Sequence, residues 1–206
     1  MKLAVFDFDS TLMDGETINL LAKAYGKEKE VSEITKAAMN GEFEFHQSLK
    51  KRVAILKGMP KSLVEEVCEN FSYIKGAKEL ICALKEKDYK VVVFSGGFDE
   101  GVSAGQKVLG FDAFFANSLH YTEDVLSGAV GGEMMFSYSK GRMLKKIQDL
   151  LSVKIENTIA TGDGANDMSM FPYASKKIAF CGKEILKKSA NIIVDNKDLT
   201  EIIKYI

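Results

Sequence analysis

Two carboxylates one residue apart, Asp7 and Asp9, follow directly on the apolar run Leu3-Ala4-Val5-Phe6, and the hydroxyls of Ser10 and Thr11 come next. Alternate side chains of an extended strand share a face, so the two acids would repel each other unless a positive charge lay between them. A hard divalent cation held by oxygen ligands meets that need. Two further apolar runs also give way to polar residues: Ser95-Gly96-Gly97 follow residues 91–94, and Gly162-Asp163-Gly164-Ala165-Asn166-Asp167 follow residues 158–161. If these runs are parallel strands, their carboxyl ends form one crevice where all three groups meet. Lys140 opens a helical pattern just ahead of the third group and can reach the same place. Four aspartates, a lysine, a serine and backbone N–H groups near glycines suit a cation and a phosphate together. Phosphoryl transfer asks for little more: cations to neutralise the phosphate oxygens, N–H groups to orient them, and a carboxylate to attack phosphorus in line.

The elements that must position these groups follow from periodicity. Short apolar runs at 3–8, 91–94, 158–161, 178–180 and 192–194 read as buried strands. Helical patterns fall between and after them, at 76–87, 100–109, 140–151, 168–174, 184–189 and 199–205, and this alternation implies an α/β fold with a doubly wound, mostly parallel, Rossmann-like sheet. Gly101 and Gly105 weaken the second of these helices, which is expected to be shorter than its pattern. Residues 14–73 break the rhythm with three or four amphipathic helical stretches and no strand, so a helical cap domain over 14–74 is expected to interrupt a core domain made of 1–13 and 75–206. The Gly-rich stretch 118–133 suggests a β-hairpin.

Composition narrows the class. The 206 residues are 46% hydrophobic and 28% charged with a formal net charge of -1, which offers no general attraction to nucleic acid or an anionic membrane. The N-terminal apolar run is cut by Asp7, too early for a signal segment or a membrane span, so a cytoplasmic location is expected. Cys68, Cys82 and Cys181 form no CxxC pair and are read as reduced, mostly core residues; with only His46 and His120 beside them there is no zinc-type cluster. Residues 7–18 are not an EF-hand, because Leu12 stands where glycine belongs and Ile18 where glutamate belongs. Asp167 occupies the last glycine position of a dinucleotide fingerprint, and there is no GxxxxGK[ST] and no GxSxG.

With the motifs Asp7-Phe8-Asp9-Ser10-Thr11, Ser95-Gly96-Gly97, Lys140 and Gly162-Asp163-Gly164-Ala165-Asn166-Asp167 in that order, the chain resembles the haloacid dehalogenase-superfamily phosphatases, in the branch that hydrolyses phosphoserine. The resemblance implies the fold of that family and Mg²⁺-dependent hydrolysis of O-phospho-L-serine through an aspartyl-phosphate, the last step of serine biosynthesis. It implies Asp7 as the nucleophile, Asp9 as the general acid and base, and Lys140 and Ser95 with Gly96 as phosphate-binding groups. Metal ligation is implied for the Asp7 carboxylate, the Asp9 backbone carbonyl and Asp163, with Asp167 supporting the metal's water shell and Asn166 touching phosphate or substrate. Glu16 and Arg52 are implied as partners of the substrate's ammonium and carboxylate, and Met39 and Phe45 as apolar cap residues that close over it. Transfer of the phosphoryl group to an alcohol, action on another small phosphomonoester, or binding of a phosphoamino acid without turnover would use the same residues.

Overall fold

The structure, a computed structural model, describes residues 1–39 and 42–206, with the side chain of Met39 outside that description. In chain order the strands are β1 (Lys2–Phe6), β2 (Tyr89–Phe98), β3 (Ala113–Thr122), β4 (Val125–Gly132), β5 (Thr158–Gly162), β6 (Lys176–Phe180) and β7 (Ile192–Val194). The helices are α1 (Thr17–Ala24), α2 (Glu28–Met39), α3 (Phe45–Ile55), α4 (Lys61–Glu69), α5 (Ala77–Glu86), α6 (Asp99–Leu109), α7 (Ser139–Leu151) and α8 (Glu184–Lys187), joined by three 3₁₀ segments. The sheet runs β4-β3-β2-β1-β5-β6-β7, parallel except for the β3/β4 edge pair. Because β1 lies between β2 on one side and β5 on the other, the sheet reverses its winding direction at β1 and opens a crevice at that strand's carboxyl end.

The period of two in the strand sequences divides the core into two layers. Ala4, Phe6, Val91, Val93, Ile159, Ile178 and Phe180 face one cluster, whereas Leu3, Val5, Val92, Phe94, Ala160 and Ala179 face the other. Strands covered on both faces have no polar side to show, which is why they read as continuous apolar runs. The second layer is closed by Met143, Leu144 and Ile147 of α7. The first is closed by Leu80 and Leu84 of α5 and Val102 of α6, and it continues without a break into Leu21, Val31, Leu49, Val53 and Val64 of α1 to α4. The chain enters and leaves this helical group through adjacent segments, with Asp14 N donating to Ser72 O at 2.8 Å and Ile74 N to Leu12 O at 2.9 Å. The group is also tied to the β3/β4 hairpin, where Gly58 N donates to Leu126 O and Leu126 N to Met59 O, each at 2.8 Å.

Several expectations need correction. The first strand ends at Phe6 instead of residue 8, so the pleat does not relate Asp7 to Asp9. The second strand does not stop at residue 94 but runs to Phe98, so Ser95, Gly96 and Gly97 lie within β2, at a register shift against β3. The hairpin pairs Asn117 with Gly132 through Thr122 with Val125, as expected for 118–133, but its first strand begins earlier, at Ala113, where it pairs in parallel with β2; its turn residues Glu123 and Asp124 both have positive φ, as a tight two-residue loop requires. Of the helices expected at 168–174 and 199–205, residues 168–173 and 199–205 lie in 3₁₀ segments and Ala174 is extended; the first segment contains Pro172, which lacks the N–H a longer helix needs. Only Cys68 of the three cysteines is buried; Cys82 and Cys181 are exposed. Among the described residues no helix is long and apolar enough to cross a membrane.

Helix α6 is not shortened by its glycines, and the reason is packing. A Cβ at Gly105 would stand 2.5 Å from the ring of Phe8, which is fully buried, and one at Gly101 would stand 2.9 Å from Phe71. The glycines let α6 lie against the segment that carries Asp7 and Asp9. Gly105→Ala is therefore expected to lower stability by about 1–3 kcal/mol despite alanine's higher helix propensity. Urea unfolding measures this, and a variant as stable as the parent contradicts the packing argument.

Candidate active site

β1 delivers its carboxyl end into the crevice, and Asp7 is held there on several sides. Its backbone N–H donates to Thr161 O of β5 at 2.9 Å, and its Oδ1 accepts from the N–H of Phe8 at 2.8 Å. Lys140, one residue into α7, donates from Nζ to Asp7 Oδ1 at 2.5 Å and to Asp167 Oδ1 at 2.6 Å. Asp167 Oδ2 accepts from the N–H groups of Asp163 at 3.0 Å and Gly164 at 2.9 Å, so both of its oxygens are engaged. A Cβ at Gly162 would lie 2.3 Å from the Asp167 carboxyl carbon, which explains the glycine that ends β5. Asp7 Oδ2, by contrast, takes no protein hydrogen bond among the described residues.

Carboxylate oxygens of Asp7, Asp163 and Asp167 all lie within 4.8 Å of one another. Against them stands the Lys140 ammonium, leaving two more negative charges than positive at the centre. Burial is the main cause that pushes Asp163 up to about 6, with Asp167 adding to it, and burial followed by the charge of Asp167 raises Asp7 well above the usual carboxylate range. Burial pulls Lys140 down, but Asp167 and Asp7 outweigh it and hold its ammonium above the ordinary value. An all-oxygen donor set with this charge deficit fits a divalent cation.

Asp9 is separated from that cluster. The chain turns at Ser10, whose φ is 60°, and Asp9 Oδ1 accepts from Thr17 Oγ1 at the start of α1 at 2.6 Å. Burial first and the neighbouring Glu16 second raise its carboxyl to about 7, with the Thr17 bonds opposing them. Ser95 is fully buried and its Oγ accepts from Gly97 N at 2.9 Å. The glycines keep the β2 wall bare: a Cβ at Gly96 would stand 2.8 Å from the Phe45 ring, and one at Gly97 2.9 Å from Asp9 Oδ2.

Over these groups lies a cavity of about 540 Å³. Its floor includes Asp7, Asp9, Asp163 and Asn166, with Gly96 and Gly97 on one wall, and its roof includes Phe45, Ser48, Leu49 and Arg52. The spacing of those four residues along α3 puts them on one helix face. Glu16 reaches the cavity from the start of α1 and accepts from Ser10 Oγ at 3.0 Å. Arg52 is half-buried, and burial lowers its guanidinium from the ordinary value while Glu16 and Asp9 act in the opposite direction. Lys140, Ser95 and Asp167 are buried side chains outside the cavity lining, whereas Met39 has its side chain outside the described residues.

Sequence reasoning left out Thr17, Ser48 and Lys183. Thr17 carried a usable signal, since a hydroxyl beside Glu16 at a helix start can bond a carboxylate in the preceding loop. Ser48 lies one turn before Arg52 on α3, and Lys183 follows the last buried residues of β6; neither belongs to a recognisable motif.

The elevated Asp163 carboxyl makes a sign-definite prediction for protein freed of metal by a chelator. The unfolded chain loses this proton near pH 4 and the folded chain near pH 6, so the folded state binds more protons in that window and loses stability as pH rises. Asp163→Asn is expected to melt roughly 2–6 °C above the parent at pH 8 in chelator, with the gain vanishing below about pH 4. Added divalent cation reverses the order by stabilising the parent. A variant that melts lower than the parent in chelator at pH 8 contradicts this reading of the charge deficit.

Residues 4–172 match the haloacid dehalogenase-like hydrolases. The phosphoserine phosphatase of Wolinella succinogenes is 59% identical over 206 residues, covering 100% of both chains, and that of Methanocaldococcus jannaschii is 48% identical over 205 residues, covering 100% of this chain and 97% of its own. A solved structure described as a phospho-aspartyl intermediate analogue of phosphoserine phosphatase superposes with a TM-score of 0.94 at 48% identity, covering 100% of this chain and 98% of the other. A substrate-bound phosphoserine phosphatase complex gives the same TM-score at 47% identity and the same coverage. The chain belongs to the haloacid dehalogenase-like hydrolase family.

Proposed function

We propose that this chain is a Mg²⁺-dependent phosphoserine phosphatase that hydrolyses O-phospho-L-serine to serine and phosphate, completing serine biosynthesis in the cytoplasm. The observation that carries the reading is the buried Lys140 bridge between Asp7 and Asp167, which leaves Asp7 Oδ2 without a protein hydrogen bond among the described residues, in the lining of the cavity. Full-length relatives named for this activity support the choice of substrate. The cap is assigned to 14–74 and the catalytic core to 1–13 with 75–206.

The geometry supports the following chemistry. Asp7 Oδ2 attacks phosphorus while Lys140 fixes the other oxygen, and the bond from phosphorus to the serine oxygen breaks. Asp9, whose carboxyl is raised to about 7 and held by Thr17, gives its proton to the departing alkoxide. The same group then takes a proton from the water that attacks the phosphoaspartate, which frees phosphate and restores Asp7. Ser95, with the Gly96 and Gly97 backbone, positions the phosphate oxygens, and Asn166 borders the same space. Mg²⁺ would be held by the Asp7 and Asp163 carboxylates and the Asp9 backbone carbonyl, with Asp167 in support because both of its oxygens already accept hydrogen bonds. When bound, Mg²⁺ neutralises phosphate charge and keeps Asp7 ionised.

The substrate is a small molecule, and the net charge of -1 gives no reason to expect nucleic acid or membrane as a partner. Its ammonium pairs with Glu16 and its carboxylate with Arg52, both of which line the cavity. Phe45 against Gly96 excludes water from the reacting groups, and Met39 is assigned to the same apolar cover. The test compares kcat/KM for phosphoserine, phosphothreonine, phosphoethanolamine and phosphoglycolate, with and without Mg²⁺. Phosphoserine is expected to lead the series and to require Mg²⁺. Arg52→Ala should lower kcat/KM for phosphoserine roughly 10- to 100-fold while changing phosphoethanolamine far less, because only the former carries a carboxylate. Equal losses on both substrates would overturn the assignment of Arg52.

A further inference from the structure

The cavity is lined by four acids, Asp7, Asp9, Glu16 and Asp163, and among the described lining residues by two cations, Arg52 and Lys183. The two stand in different company. Arg52 feels the charges of Glu16 and Asp9, whereas Lys183 acts on the carboxyl of Asp163. The third cation of the site, Lys140, is buried and committed to Asp7 and Asp167. A phosphomonoester carrying close to two negative charges therefore meets few cationic side chains in this cavity, and its carboxylate end already claims Arg52.

Lys183 is built for the other end. It is exposed, it follows β6, and its backbone is pinned from both directions: its N–H donates to Asp163 O at 2.8 Å, and its carbonyl accepts from Leu186 N at 2.8 Å and Lys187 N at 3.1 Å. Its neighbour Lys187 is occupied by Asp195 at 2.7 Å and Glu184 at 3.4 Å, while Lys183 forms no ion pair among the described residues. A fixed backbone with an unpaired ammonium bordering an acid-lined cavity is an arrangement that favours an arriving anion.

We propose that Lys183 is an anion anchor at the cavity mouth, binding the phosphoryl group of incoming substrate beside Asp163 and holding product phosphate before it departs. This rests on the phosphomonoesterase reading of the site. The contacts that hold the loop are backbone contacts, so a side-chain substitution leaves them in place and isolates the ammonium. The competing role is indirect: Lys183 would act only by keeping Asp163 ionised for the cation.

Lys183→Gln and Lys183→Arg separate the two. With the glutamine variant, KM for phosphoserine and the inhibition constant of inorganic phosphate should both rise roughly three- to tenfold, the worth of a partly solvated charged contact, with kcat within about twofold. The Mg²⁺ concentration giving half-maximal activity should stay the same or fall, because a positive charge near the cation has been removed, and arginine should restore both phosphate-dependent values. Calorimetric titration of Mg²⁺-loaded protein with inorganic phosphate repeats the comparison without turnover. If phosphate binding weakens in Lys183→Gln while phosphoserine is not a substrate, the anchor stands and the substrate assignment falls. If phosphoserine is turned over but KM and phosphate affinity do not change, or if only the Mg²⁺ requirement rises, the anchor is overturned.

Discussion

Lys140 Nζ donates to Asp7 Oδ1 and Asp167 Oδ1 with the three side chains exposed by only 3%, 6% and 0%, and the geometry of the site depends on that bridge. A buried carboxylate beside another is costly unless a cation sits between them, and removing one partner of such a group costs about 3–5 kcal/mol because the other charges stay buried. The bridge joins β1, the start of α7 and the 3₁₀ segment after β5, which are far apart in sequence. It also divides the oxygens of Asp7: one is fixed by Lys140 and Phe8 N, and the other remains for chemistry. The parallel pairing of Phe6 with Thr161, continued by Asp7 N donating to Thr161 O, sets β1 and β5 level with each other.

The helical group α1 to α4 completes the site by a different means. Its apolar residues belong to the same cluster as one face of the sheet, so it is anchored by packing as well as by the paired segments at its base. Helix α3 then presents Phe45, Ser48, Leu49 and Arg52 down one face, lining the cavity and supplying a cation that feels the charge of Glu16. Asp9 sits where the two parts meet, bonded to Thr17 of the cap's first helix. Burial and Glu16 lift its carboxyl to about 7, a value that lets one group both give and take a proton near neutral pH. The environment that raises the Asp9 carboxyl is thus tied to the start of α1, which carries Glu16 and Thr17.

Much of this was legible in the sequence because the site residues sit at the ends of strongly apolar strands. Asp7, Asp163 and Asp167 meet as their strand order requires, and Lys140 arrives at the start of the expected helix. Glu16, Arg52 and Phe45 line the cavity, although residue chemistry alone would leave each as an ordinary helix residue; the family resemblance singled them out. Local pattern failed where tertiary contact decides. Ser95, Gly96 and Gly97 look like a turn after a strand, yet the strand continues because Asn117 of β3 pairs with Phe98 and donates to Gly96 O, and the bare backbone then admits Phe45 and Asp9. The same holds for Gly105, a helix breaker by propensity that is required for α6 to approach Phe8. Ser48 and Lys183 carry no motif, and their relation to the site appears only once α3 and the β6 loop are folded over it, whereas Thr17 could have been found from its place beside Glu16 at a helix start.

The central claim is that Asp7, held by Lys140, accepts the phosphoryl group. The most direct measurement is rapid acid quenching of the Mg²⁺-loaded protein during turnover of phosphoserine, followed by mass spectrometry of its peptides. The account predicts one phosphoryl group on the peptide containing Asp7, located at that residue, and none in Asp7→Asn. Phosphoryl transfer to Asp9 or Ser95, or undiminished phosphate release by Asp7→Asn, would contradict it.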